Sequence, residues 1–160
     1  MEILEYAMQM EKDGENFYRE IASSTNDAGL KTITNMLADE EVKHYRLLQK
    51  MKADEYVMTE TTILEDAKNV FSGMQGGKYV IDKKDDQIAV YREAQDIEKR
   101  SRLFYEEKAA ETDNKDQKKL FERIAEEERK HYFLLENIIE FVSRPENWIE
   151  NAEWNHLEAY

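Results

Sequence analysis

The chain has 160 residues, 41% of them apolar, which is enough for one domain with a core. Its 36 acidic and 23 basic side chains leave a formal charge of −13, which repels a nucleic-acid backbone or an anionic membrane surface and argues against either partner. Cysteine is absent, which excludes disulfides, thiolate nucleophiles, iron–sulfur clusters and zinc ribbons, so any metal must take oxygen and imidazole ligands.

Five Gly and one Pro among abundant Glu, Lys, Ala, Leu and Arg predict an all-α chain of long helices. The opening MEILEYAMQMEKDGE is too acidic and too interrupted for a signal peptide, and no run of about eighteen apolar residues follows, so a cytoplasmic protein is expected. The same stretch begins an amphipathic helix with the inward seam Leu4, Ala7, Glu11, Gly14, Tyr18, Ile21. A break falls at SSTNDAG, where Asn26 or Asp27 can cap the next helix and Gly29 relaxes the turn. The second helix, to about residue 52, has the seam Leu30, Ile33 or Thr34, Leu37, Glu41, His44, Leu48, Met51.

A connector of about 35 residues follows, with a short helix expected around Thr62 to Phe71 and a loop at GMQGGK. It can cross the roughly 30 Å length of a twenty-residue helix. A third long helix starts near residue 86 with the seam Tyr91, Ala94, Glu98, Ser101, Tyr105. It breaks at TDNKD, where Asp113 is read as the cap, and the fourth helix runs to 143 through Leu120, Ile124, Glu128, His131, Leu135 and Ile138. Ser143-Arg144-Pro145 ends it, and PENWIENAEWNHLEAY reads as a short terminal helix whose Trp148, Ile149 and Leu157 cover one end. Residues 1–143 are thus read as a four-helix bundle, two hairpins joined by one long crossover, and 144–160 as an extension packed on it.

The chain is written twice. A shift of 87 residues lays Glu11 on Glu98, Phe17-Tyr18 on Phe104-Tyr105, and ADEEVKHYRLL on AEEERKHYFLL without a gap. Both copies therefore put a Glu and a Glu-x-x-His pair on inward seams, and six polar residues meet at mid-height of an apolar core. An unpaired carboxylate there costs several kcal/mol, and these seams carry no Lys or Arg at that level. Divalent cations are the natural neutraliser, since residues three apart on a helix project from one face and can approach the same ions.

These residues carry a resemblance. A Glu from each of two helices with Glu-x-x-His from each of the other two is the dinuclear pattern of ferritin-like carboxylate proteins. Over nearly its full length the chain resembles the rubrerythrin and ferritin-like di-iron family. The resemblance implies a ferritin-like bundle with Glu11, Glu41, His44, Glu98, Glu128 and His131 as ligands to two iron ions, manganese or zinc also being possible. Glu41 and Glu128 would bridge, and the pairing of the remaining four with the two metals stays open. Rubrerythrins proper carry a Cys-rich rubredoxin module, absent here, so electrons would come from a separate rubredoxin-like donor. They also carry a further acidic ligand one turn beyond Glu98, where this chain has Ser101, which brings the set closer to the symmetric one of bacterioferritins.

The implied function is a di-iron oxidoreductase, a peroxidase reducing hydrogen peroxide or dioxygen, acting as a homodimer. The alternatives are a ferroxidase of the iron-storage type and a non-redox metal-binding bundle. Tyr18 and Tyr105, each seven residues after a Glu, read either as hydroxyls that orient a ligand or relay an electron, or as core tyrosines. Glu153 and His156 repeat the Glu-x-x-His spacing but have no partner under the 87-residue shift, so a surface or packing role is expected. Met8, Met10, Met36, Met51 and Met74 read as core filler, and the runs KKDD and EEER as solvated faces.

Overall fold

The computed structural model describes residues 3–53, 61–73 and 84–143. The terminal extension with Trp148, Ile149, Leu157, Glu153 and His156, Met74 and most of the GMQGGK segment lie outside the described residues. Five helices make up the described chain: α1 (Ile3–Ser24), α2 (Ala28–Lys52), α3 (Ile63–Gly73), α4 (Lys84–Glu111) and α5 (Lys115–Ser143). There is no strand among the described residues, and no helix there is long and apolar enough to cross a membrane. The architecture is an all-α, ferritin-like bundle in which α1 packs on α2, α4 packs on α5, and α3 lies in the crossover against α2 and α5.

Both hairpin turns are built the same way, 87 residues apart. In the first, the Asp27 carboxylate accepts from the Leu30 N–H at 2.9 Å, and the Thr25 N–H donates back to the Ile21 carbonyl. In the second, the Asn114 side chain accepts from the N–H groups of Asp116 and Gln117, both at 3.0 Å, and the Thr112 N–H donates to the Lys108 carbonyl. The cap of α5 is therefore Asn114 and not Asp113: α4 persists to Glu111, so the first orphan N–H groups of α5 fall within reach of residue 114. In α3, one residue later than expected at its start, the Thr62 hydroxyl donates to the Asp66 carboxylate at 2.8 Å.

Every seam residue read from the four long helices is buried, because alternating steps of three and four keep one stripe turned inward. The apolar core is not continuous. One cluster holds Leu30, Leu37, Tyr91, Ile138 and the α3 residues Ile63, Ala67 and Phe71; the other holds Leu4, Leu48, Tyr105, Leu120 and Ile124. A polar layer separates them, so the burial of apolar surface that stabilises the bundle on either side also keeps that layer dry.

Candidate metal centre

That layer contains Glu11 from α1, Glu41 and His44 from α2, Glu98 from α4, and Glu128 and His131 from α5. None is more than 4% exposed. Glu11, Glu41, His44 and Glu128 each present one ligand-capable atom, all within 4.8 Å of one another, and so do Glu41, Glu98, Glu128 and His131. Glu41 and Glu128 belong to both groups, while the other four divide by hairpin, Glu11 with His44 and Glu98 with His131.

The imidazoles stack at 5.8 Å between centroids with 17° between their planes. The Nδ1 atoms face inward. His44 Nδ1 lies 3.0 Å from Glu128 and 3.4 Å from Glu11, and His131 Nδ1 lies 3.4 Å from Glu98 and 3.9 Å from Glu41. The Nε2 atoms face outward to two further acids, His44 to Glu127 at 2.9 Å and His131 to Glu40 at 3.9 Å. Such an outer carboxylate holds the tautomer and orientation of a metal-binding imidazole.

Glu40 and Glu127 are functional candidates that reading by seam misses. The run EEER is not a solvated face throughout, because Glu127 within it is 5% exposed, and Glu40, its counterpart in the first copy, is 3% exposed. Arg123 stands 3.4 Å from Glu127 and Lys43 stands 3.2 Å from Glu40, which also accepts from the Thr61 hydroxyl of the crossover. The overlooked signal is a Glu four residues before each His in both copies of the repeat, although each acid serves the His of the opposite hairpin.

The tyrosines cross the bundle in the same reciprocal way. Tyr105 donates to Glu11 Oε1 at 2.6 Å and Tyr18 donates to Glu98 Oε1, so each carboxylate is held by the hydroxyl of the other hairpin. Both hydroxyls have acidities pushed well above the ordinary phenol value by burial and then by the facing carboxylates, so they remain donors.

Proton affinities divide the acids into two kinds. Burial, followed by repulsion from Glu128 and Glu11, raises Glu41 well above the carboxylate range, and burial with Glu98 and Glu11 does the same to Glu128. Burial also pushes Glu11 and Glu98 upward, but His44 and His131 outweigh it and hold them below the usual value. Desolvation opposes the charged imidazoles, yet the Glu11 side raises His44 well above its ordinary value, and Glu98 with Glu40 raises His131 to about 10. Burial likewise opposes the charge on Glu40, but the facing His131 and the nearby Lys43 bring it down to about 2. Without a cation, the layer would have to hold protons to balance its charge.

Cations can replace those protons. Glu11 Oε2, Glu98 Oε2, Glu128 Oε1 and both Nδ1 atoms are buried without a hydrogen-bond partner. A dry site of oxygen and imidazole donors with unmet lone pairs fits two divalent ions.

No curated protein matches the chain. It is similar to the solved structure of the hypothetical protein Pfu-1136390-001 from Pyrococcus furiosus, at 24% identity over 88% of each chain, with a TM-score of 0.65, a likeness of fold. The sequence profile of the rubrerythrin family matches residues 2–139, and with the bundle and its buried Glu/His layer in place, the chain belongs to the rubrerythrin family.

Proposed function

We propose that the protein is a di-iron oxidoreductase that reduces hydrogen peroxide or dioxygen with electrons from a separate donor. The observation that carries this reading is the pair of overlapping Glu/His groups sharing Glu41 and Glu128. Glu11 with His44 would hold one ion and Glu98 with His131 the other, with Glu41 and Glu128, common to both groups, available to both. Two iron ions held there would together supply the two electrons that, with two protons, convert one peroxide to two waters.

The chain's own residues prepare for this. Tyr18 and Tyr105 orient Glu98 and Glu11, while Glu127 and Glu40 face the outer nitrogens of His44 and His131. The apolar clusters on either side limit bulk water, which strengthens each charge interaction in the layer.

Anaerobic loading with ferrous iron followed by hydrogen peroxide tests the reading. Two irons oxidised per chain, with turnover when a reductant is supplied, supports it. Continued uptake of ferric ions would place the protein among storage ferroxidases, and a metal-loaded chain inert to peroxide would make the site structural.

A further inference from the structure

Among the described residues, three of the clefts reach the polar layer, and the 87-residue relation sorts them. A cleft of about 370 Å³ between α1 and α2 reaches Glu11 and Glu41 beside Lys12 and Tyr45. One of about 360 Å³ between α4 and α5 reaches Glu98 and Glu128 beside Lys99 and Tyr132. Adding 87 to each of the four residues named in the first gives the four named in the second, so these two are counterparts lying off the pseudo-two-fold axis, each serving one side of the layer. The third cleft, of about 450 Å³ between α1 and α4, is lined by both members of the pairs Gly14 and Ser101, Phe17 and Phe104, and Glu41 and Glu128. All of its lining except Tyr6 maps onto itself under the shift, which puts it on the axis.

We infer that this on-axis cleft is the port through which a small oxidant of the peroxide class enters, and that Gly14 and Ser101 set the size it admits. The inference rests on the di-iron reading above. A molecule that must meet both halves of the centre together approaches symmetrically only along the axis, and this cleft alone among the three reaches both shared carboxylates. Glu128 Oε1, on a residue 1% exposed, makes no hydrogen bond, and Glu128 lines the cleft.

The threshold is narrow because of what stands there. A Cβ added to Gly14 would lie 3.3 Å from Glu41 Cδ, so even alanine would press on the carboxylate. Opposite it, Ser101 is 9% exposed and contributes only a hydroxymethyl group. A longer side chain at 101 would fill the space in front of Glu128. Phe17 and Phe104, both partly buried, supply apolar walls that suit a small neutral molecule, while Asp13 and Arg100 in the same cleft offset one another's charge.

The test loads the full chain with iron, oxidises it to the ferric form and follows azide association by stopped-flow absorbance, with iron content measured separately. Ser101→Leu is expected to slow azide association by about tenfold with iron content unchanged, and Ser101→Thr by about two- to threefold, as obstruction of a path lowers an on-rate. Tyr45→Trp and Tyr132→Trp, which fill the off-axis clefts, should leave the rate as in the wild type. If Ser101→Leu fails to take up iron, Ser101→Thr decides by the same criterion. An azide rate insensitive to position 101, or slowed equally by the off-axis substitutions, overturns the port while leaving the metal centre standing. A wild-type chain that binds no iron overturns the di-iron reading and the port with it.

Discussion

Tyr105 on α4 donates its hydroxyl to Glu11 on α1 across 2.6 Å of buried space, joining two residues 94 positions apart. Its counterpart, Tyr18 to Glu98, runs the other way between the same two hairpins. The contacts between α1 and α4 are otherwise sparse, so these bonds tie together the halves of the bundle at the level of the candidate centre.

Tyr105→Phe leaves a buried carboxylate oxygen without its donor. The metal-free protein should lose about 2 kcal/mol of stability, the range for a hydrogen bond to a charged group, measured by urea unfolding. Tyr18→Phe should behave alike, and the double variant should depart from the sum, since Glu11 and Glu98 both act on Glu128 in the same buried layer. A loss near zero for either would mean that water replaces the hydroxyl.

Glu127→Gln and Glu40→Gln remove the outer charge facing an imidazole while keeping its shape. Each should weaken divalent-metal affinity by about 10- to 100-fold in chelator competition, the usual effect of losing a carboxylate behind a metal-binding His. Glu127→Gln should have the larger effect, because its contact to His44 is 2.9 Å against 3.9 Å for Glu40 and His131.

The proton-filled layer makes stability depend on pH in a particular direction. His131 titrates near 10 in the folded chain against 6.5 in a free imidazole, so its contribution is complete below about 6.5 and is lost as the pH rises through 10. Glu41 and Glu128, also raised, act in the same sense, their contribution fading as the pH climbs above 4.5. Glu40, lowered from 4.5 to about 2, contributes above 4.5 and loses this as the pH falls through 2. The melting temperature of the metal-free protein should therefore peak near about 4.5 and decline toward alkaline pH, more steeply above about 6.5. Divalent metal should flatten the alkaline limb, and loading in weakly buffered solution should release protons and acidify it.

Asn114→Ala should cost about 1 kcal/mol by thermal or urea unfolding, the usual value of an N-cap, whereas Asp113→Ala should cost much less. Equal losses would show that the cap can move by one residue.

Much of this architecture was legible in the chain. Helix seams such as Leu4, Ala7, Glu11, Gly14, Tyr18, Ile21 follow from a period of 3.6, and all six are buried. The shift of 87 residues exposed two hairpins and two Glu-x-x-His pairs. Asp113 and Asn114 could not be told apart, since both are good caps and adjacent. The seam also hid Glu40 and Glu127, because a residue beside the inward stripe looks solvated until a neighbouring helix covers it.

The sequence by itself determined the helices, their inward faces and the donors on them, because those depend on spacings of three and four residues along one backbone. Only the tertiary structure decided that Tyr18 meets Glu98, that Glu127 meets His44, and that Glu41 and Glu128 line one cleft with Gly14 and Ser101. Those partners are 80 and 83 residues apart, and a distance of that kind is set by how whole helices align in the bundle, which no local pattern encodes.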